Sequence, residues 1–216
     1  MTKLLTLKSS LLGDTSVSNE LIDNFIDSLT ARGMELETVT RDLSRQGIPH
    51  LDGEWLSASS APATRRTNEQ QQKINYADEL ISELKAAELI VIGAPMYNFM
   101  VPTQLKAWID HVAKAGITFR YTENGSVGLL NDKEVVVVVT SGGIHKTGET
   151  DHMRPFLKTV LGFLGLNNVE FAVASGLNMG PETREAGINH AREYLNKIAD
   201  QLVPVDSFNR VIEEVA

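Results

Sequence analysis

The chain has 216 residues, of which 42% are hydrophobic and 22% charged, and these values exclude disordered, collagen-like and coiled-coil proteins. It contains no cysteine, which excludes disulfide frameworks, iron–sulfur clusters, thiolate zinc sites and cysteine nucleophiles. With 28 acidic against 20 basic residues and a formal charge of −8, it lacks the clustered Lys and Arg that phosphate neutralisation requires, so no nucleic-acid partner is expected.

No stretch of the sequence has the length of a membrane span. The longest unbroken apolar run covers residues 135–139, far short of the roughly 20 residues that cross a bilayer. The apolar start of the chain is interrupted at Lys8, before it reaches the length of a signal peptide. We therefore expect no membrane segment and a cytoplasmic location.

Short aliphatic runs alternate with longer segments of helical period along the chain. Ser18 is the expected N-cap of the first helix and Gly33 its expected end. The five consecutive valines at 135–139 are typical of a strand covered on both faces of a parallel sheet. Strands are predicted at 4–7, 36–43, 89–94, 134–140 and 169–174, and further helices at 67–86, 102–114, 151–164 and 181–202.

Residues 42–66 show no clear period and are predicted to be a long loop. The alternation of the remaining elements predicts an α/β fold, a doubly wound three-layer sandwich around a five-stranded parallel sheet. In such sheets ligands bind beyond the carboxyl ends of the strands. The loops that follow the strands are therefore the candidate functional segments.

The first of these loops, residues 9–18, carries hydroxyl groups at five of its ten positions and leads directly into a helix. Free backbone N–H groups and the helix dipole favour a phosphate there, although Asp14 opposes it and an ordinary helix cap would look the same. Neither a Gly-x-Gly-x-x-Gly fingerprint nor a P-loop is present. The pattern favours the phosphate of a mononucleotide such as FMN, as in flavodoxin-like folds.

The third loop, residues 94–102, places aromatic and amide side chains between Pro95 and Pro102. Because prolines restrict the backbone, its N–H groups could be held against the polar edge of a flat heteroaromatic ring. The alternative is a plain strand-to-helix turn with surface aromatics.

The fourth loop, residues 140–148, contains paired glycines that allow close approach of a ligand to the backbone. His145 is a candidate to hydrogen-bond a ring carbonyl or relay a proton, or else an incidental exposed histidine. His145, Asp151 and His152 lack a specific metal-site pattern, so no metal is expected.

An Asn124-Gly125 pair between extended segments predicts a β-hairpin. Phe119 and Tyr121 alternate with a polar residue, so both rings should face one side, either as a wall for a planar substrate or as simple packing. Phe163, taken alone, is typical of a core residue.

Together these segments resemble the family of FMN-dependent NAD(P)H azoreductases, which also reduce quinones. The resemblance extends to about residue 202, and the stretches that carry it are Leu-Lys-Ser-Ser at 7–10, Ala-Pro-Met-Tyr-Asn-Phe at 94–99, Gly-Ile-Thr-Phe-Arg-Tyr-Thr-Glu-Asn-Gly at 116–125, Gly-Gly-Ile-His-Lys at 142–146 and Leu-Gly-Phe-Leu-Gly at 161–165. One departure is that Ser141 is followed directly by Gly142, where members often carry an intervening Arg.

The resemblance implies a flavodoxin-like FMN-binding domain over residues 1–202, followed by a tail, 203–216, without an assigned role. It implies a homodimer with one non-covalent FMN per subunit and NADH or NADPH as electron donor. The implied phosphate-binding residues are Ser10, Ser16, Val17 and Ser18, and the implied isoalloxazine-binding residues are Pro95, Met96, Tyr97, Asn98, Phe99, Thr140, Ser141, Gly142 and Gly143.

The reaction implied is a ping-pong, two-electron reduction of quinones and a reductive cleavage of aromatic azo compounds to amines. His145 is the candidate catalytic residue, and Phe119, Tyr121 and Phe163 are the candidates to stack on the substrate, in some arrangements from the partner subunit.

Two other classes of protein remain open at this point. A flavodoxin-type electron carrier would share the fold and cofactor but have no small-molecule substrate of its own. A hydrolase using Ser141, His145 and Asp151 is disfavoured because no Gly-x-Ser-x-Gly elbow surrounds the serine.

Overall fold

The computed structural model describes residues 1–203, so the C-terminal segment predicted at 203–216 lies outside the described residues apart from Val203. The strands are β1 (Thr2–Lys8), β2 (Leu36–Asp42), β3 (Leu89–Pro95), β4 (Phe119–Thr122), β5 (Gly125–Gly128), β6 (Glu134–Thr140) and β7 (Val169–Ala174). The helices are α1 (Val17–Ala31), α2 (Leu43–Gln46), α3 (Gly53–Ser60), α4 (Asn68–Ala86), α5 (Thr103–Val112), α6 (Met153–Leu164) and α7 (Pro181–Leu202).

Within this part of the chain, five strands form a parallel sheet in the order β2-β1-β3-β6-β7, and β4 and β5 form a separate hairpin. The chain winds from β1 outward to β2 and then back past β1 to β3. The strand order therefore reverses beside β1 and β3, which is where a doubly wound sheet opens a crevice at its carboxyl edge.

The valine run of β6 shows how the helices cover both faces of this sheet. Val135, Val137 and Val139 pack in a core with residues of α4, α5 and α6, among them the fully buried Trp108. Val136 and Val138 pack on the opposite face with residues of α1 and α7. The predicted α/β three-layer sandwich is thereby confirmed.

The prediction of a long loop over residues 42–66 is wrong. This segment contains α2 and α3, whose first turns are capped by Asp42 and Asp52; Oδ1 of Asp52 accepts a hydrogen bond of 2.7 Å from the backbone of Trp55. These helices are too short to show a period, and α3 is held by the packing of Trp55 against Ile74 of α4.

The start of α1 also differs from the prediction, because Ser16 rather than Ser18 is the N-cap. The Ser16 hydroxyl accepts a hydrogen bond of 3.3 Å from the backbone N–H of Asn19. At the start of α4, Thr67 and Gln70 form a capping box with both reciprocal hydrogen bonds.

His111 in α5 is a buried histidine that should make stability sensitive to acid. Burial lowers its pKa and outweighs the opposing effects of the hydrogen bond from Nε2 to the Pro49 carbonyl, 2.9 Å long, and of the charges on Asp110 and Asp52. The folded state therefore holds His111 neutral, whereas the unfolded state binds a proton near pH 6.5. The contribution of neutral His111 to the free energy of unfolding is complete above pH 6.5. It is lost as the pH falls towards the lower pKa of the folded state.

We expect the melting temperature of the wild type to fall more between pH 7.5 and 5.5 than that of His111→Gln, because glutamine cannot titrate. The measurement is a thermal melt of both proteins at each pH. Parallel curves for the two proteins would show that His111 carries no such dependence.

Candidate active site

A cavity of about 220 Å³ opens at the carboxyl edge of the sheet, beside β1, β3, β6 and β7. Its lining residues come from the carboxyl ends of strands and the loops that follow them, and from the first turns of α1 and α7. They are Ser10, Leu12, Thr15, Ser16, Val17, Pro95, Met96, Tyr97, Thr140, Ser141, Gly142, Leu177, Asn178 and Arg184. Most of the cofactor-binding residues predicted from the sequence are therefore brought together here.

The first loop presents neutral hydroxyl groups at the start of α1. Ser10 and Ser16 are both buried, and the Ser16 hydroxyl lies 3.0 Å from that of Ser18. Ser18 is fully buried and supports Ser16 without itself lining the cavity. The first N–H groups of a helix have no partner within the helix, so this helix start is equipped to donate to an anion.

Asp14, which argued against an anion at the sequence level, points away from the cavity. Its Oδ1 accepts a hydrogen bond of 2.9 Å from Nη2 of Arg45, and both side chains are exposed. No carboxylate lines the cavity in the part of the chain that the structure describes. Among the described residues, the side of the helix start that faces the cavity thus carries no negative charge that would repel a phosphate.

The third loop makes a tight turn whose backbone is unusual. Asn98 and Phe99 have φ angles of +50° and +69°, and the flanking residues Tyr97 and Met100 exchange backbone hydrogen bonds of 3.0 and 3.1 Å. A positive φ is uncommon for an aromatic residue, and such conformations cluster at functional sites. The turn places Asn98 in a second cavity that adjoins the first and shares Met96 and Tyr97 with it.

Tyr97 ties this turn to the first loop. Its hydroxyl accepts a hydrogen bond of 3.1 Å from the backbone of Leu11 and lies 3.4 Å from the Ser10 hydroxyl. Between them, these contacts fix the separation of the two loops across the mouth of the cavity.

Tyr97→Phe should therefore weaken the link between the first and third loops without leaving a cavity in the hydrophobic core. We expect a loss of about 1 kcal/mol in the free energy of unfolding, since one net hydrogen bond is removed. Urea unfolding of both proteins checks this, and Tyr121→Phe, which alters an exposed tyrosine outside the cavity, is the matched control. An equal response to the two substitutions would contradict the linking role of Tyr97.

The fourth loop is held by the loop after β7, in which no site residue was predicted. The backbone N–H groups of Gly176, Leu177 and Asn178 donate to the carbonyls of Gly143, Ser141 and Gly142 at 3.0 to 3.1 Å. A Cβ at position 142 would lie only 2.6 Å from Nδ2 of Asn178, so the glycine permits this close approach. The rule that placed ligands at the carboxyl edge of the sheet applies equally to β7, and it could have identified Asn178.

His145 lies at the rim rather than in the cavity lining. Its ring packs edge-on against Phe99, with centroids 5.6 Å apart, and Nδ1 is 3.3 Å from the Thr150 hydroxyl. The structure thus brings the predicted catalytic histidine to the strained turn of the third loop. Phe99 and Gly143, like His145, do not line the first cavity.

The three predicted stacking residues form an aromatic cluster of their own. The Phe119 ring lies 4.2 Å from that of Phe163 and 5.6 Å from that of Tyr121, between centroids. Phe119 is buried, whereas Tyr121 is 76% exposed. None of the three lines the cavity at the sheet edge in residues 1–203.

The three residues that a hydrolase would use, Ser141, His145 and Asp151, form their hydrogen bonds and ion pairs with other residues. The Ser141 hydroxyl donates to the Gly143 carbonyl over 2.8 Å, and the Asp151 carboxylate pairs with Arg154 and caps α6. No hydrogen bond joins Ser141, His145 and Asp151 to one another in the described chain, and no group of three or more His, Asp or Glu there could hold a metal ion. Among the same residues, no helix combines the length and apolar character needed to cross a membrane.

Comparison with known proteins places this geometry in a family. Residues 2–199 match the model of the family described as having a flavodoxin-like fold. The chain is 48% identical over 198 residues to the FMN-dependent NADH:quinone oxidoreductase of Shewanella loihica, covering 92% of this chain and 99% of that protein. It is 50% identical over 195 residues to the Vibrio vulnificus protein of the same name, covering 90% of this chain and 97% of that one.

A solved structure gives the same answer for the fold. The FMN-dependent NADH-azoreductase of Bacillus anthracis, determined in complex with FMN, superposes with a TM-score of 0.85 at 28% identity and covers 94% of this chain and 100% of that chain. The fold, the edge cavity and these similarities together show that the chain belongs to the flavodoxin-like family that includes the bacterial FMN-dependent NADH:quinone oxidoreductases.

Proposed function

We propose that this protein is an FMN-dependent NADH:quinone oxidoreductase that also cleaves aromatic azo compounds to amines. The observation that carries the proposal is the carboxylate-free cavity that joins the hydroxyl-rich start of α1 to the third and fourth loops. The names of relatives that are 48% and 50% identical favour this enzyme over a flavodoxin-type carrier.

The residues of the cavity fit FMN by the chemistry of their donors. The first loop offers the Ser10 and Ser16 hydroxyls, and the start of α1 offers free N–H groups, which together suit a phosphate ester. The third and fourth loops contribute Met96 and Gly142 to the lining, where backbone groups can reach the polar edge of a flat ring. This division matches a cofactor with an anionic tail and a planar head.

FMN, when bound, supplies the two-electron transfer between the nicotinamide and the electron acceptor. Ser10, Ser16 and Val17 would hold its phosphate, with Ser18 supporting the Ser16 hydroxyl from behind. Residues 95–99 together with residues 140–143 would hold the isoalloxazine. Backbone donors of these loops would stabilise negative charge on the ring, and hydrogen bonds between the loops fix them in place. Tyr97 ties the first loop to the third.

His145 is the proposed catalytic residue, because its position against Phe99 lets it hydrogen-bond a substrate oxygen or nitrogen at the rim. Phe119, Tyr121 and Phe163 are the proposed stacking residues. The exposure of Tyr121 and the absence of this cluster from the cavity lining in residues 1–203 favour a homodimer in which one subunit supplies rings to its partner. We further propose that residues 1–202 form the FMN-binding domain and that the enzyme is cytoplasmic.

The visible spectrum of the purified protein tests the function directly. We expect flavin absorption, bleaching when NADH is added without oxygen, and recovery when a quinone is added. A protein that takes up no FMN, or reduced protein that does not respond to the quinone, would overturn the proposal. Slow bleaching by NADH with one-electron exchange would instead favour the carrier.

A further inference from the structure

Beyond the predicted cofactor residues, the part of the chain that the structure describes contributes one cationic side chain to the cavity lining. We propose that Arg184 is a second anchor for the phosphate of FMN, opposite the uncharged donors at the start of α1; this inference rests on the proposed function. Arg184 is in the first turn of α7 and lines the same cavity as Thr15 and Ser16. Helices α1 and α7 pack side by side on one face of the sheet, so their first turns bracket the cavity from two directions.

The Arg184 guanidinium has hydrogen-bonding capacity left over. Its Nη1 donates to the Leu177 carbonyl at 3.3 Å, which holds the group beside the cavity, while a guanidinium carries five N–H donors in all. No carboxylate lies within 4 Å of it in the described chain, in contrast to Arg45, which pairs with Asp14. Arg184 is thus the one cationic side chain among the described residues that line the cavity.

A phosphate monoester in this cavity would need such a charge. It carries about −1.5 to −2 charges at neutral pH. The hydroxyl and backbone donors of the first loop carry no positive charge, and the chain as a whole has a formal charge of −8. The Arg184 guanidinium, which has no carboxylate partner among residues 1–203, is the group that would offset the charge of the ester.

The location favours the phosphate over the nicotinamide or the acceptor substrate. Arg184 lines the cavity that contains Thr15, Ser16 and Val17, but it is not among the residues that line the adjoining cavity at the third loop. It should therefore act on flavin binding and leave the rim unaffected.

Comparison of FMN with riboflavin, which lacks only the phosphate, isolates this contact. Holoenzyme loaded with FMN, and the same protein loaded with riboflavin, are diluted to equilibrium, and free flavin is measured by its fluorescence. We expect Arg184→Gln to weaken the binding of FMN by about fivefold to tenfold, because the side chain is exposed and its charge partly screened, and to leave riboflavin unchanged. Arg184→Lys keeps the positive charge but loses the planar guanidinium with its two parallel donors. Its affinity for FMN should lie between those of the wild type and Arg184→Gln.

Salt gives a second readout that a merely structural role would not produce. Raising the ionic strength should weaken FMN binding to the wild type more than to Arg184→Gln. Arg192→Gln is the matched control, since Arg192 is on the same helix but does not line the cavity. Its FMN affinity should equal that of the wild type.

The outcomes separate this inference from the function on which it rests. If Arg184→Gln weakens the binding of FMN and of riboflavin equally, or weakens neither, the inference about Arg184 is overturned. The proposed function still stands in that case, provided that the wild type binds FMN and reduces quinones. A wild type that retains neither flavin would overturn both.

Discussion

Ser16→Asp is expected to strip the protein of FMN while leaving its fold intact. Ser16 is the N-cap of α1, and aspartate caps helices as well as serine does, with a charge that the helix dipole favours. The same carboxylate would stand where the phosphate of FMN is proposed to bind. Two unit charges about 4 Å apart repel each other by about 4 kcal/mol at the effective dielectric constant near a protein surface.

Because about 1.4 kcal/mol corresponds to a tenfold change in affinity, we expect FMN binding to weaken by at least about 100-fold. The measurements are the flavin content of the purified protein and its melting temperature with flavin removed from both proteins. Ser16→Asn is the control, since asparagine has the size and capping ability of aspartate without its charge. Full retention of FMN by Ser16→Asp would refute the assignment of the phosphate to the first loop.

Much of the fold could be predicted from the sequence because its strands carry an unmistakable local signal. A run such as 135–139 has apolar side chains on both faces, and the structure places alternate valines in the two cores on either side of the sheet. The carboxyl edge of a parallel sheet then follows from topology, so loops far apart in sequence were expected at one site. The lining of one cavity by Ser10, Met96 and Ser141 agrees with that expectation.

What the sequence could not provide depends on contacts between distant segments. Helix α3 is eight residues long and is held by Trp55 against α4, so its local sequence carries almost no helical signal. Arg184 belongs to the cavity because it donates to the loop after β7, which pairs with the fourth loop through backbone groups that leave no mark in the side-chain pattern. A single charged residue in an amphipathic helix is normally read as a solvated one.

Gly128→Ala should detach the β4–β5 hairpin from the body of the protein. A Cβ on Gly128 would lie 2.1 Å from the backbone nitrogen of Gly165 at the end of α6, and a backbone atom cannot rotate away as a side chain can. The hairpin is docked there by the hydrogen bond of 3.0 Å from Leu130 to Leu164 and by the contact of Phe119 with Phe163. We expect a loss of about 2–3 kcal/mol in the free energy of unfolding, at the upper end of overpacking costs.

The same variant separates the two halves of the proposed site. Its FMN content should be unchanged, because no residue of the hairpin lines the cavity in the described chain, while kcat/KM for a quinone should fall at least about tenfold if Phe119 and Tyr121 wall the substrate slot. Gly53→Ala is the control, since no atom of residues 1–203 lies within 4 Å of its Cβ position. Tyr121→Ala removes an exposed ring without disturbing the docking, so a loss of quinone reduction in that variant locates the effect in the ring itself. If the stability of Gly128→Ala is unchanged, the docking of the hairpin does not depend on this contact. If both Gly128→Ala and Tyr121→Ala reduce quinones as the wild type does, the hairpin does not form part of the substrate slot.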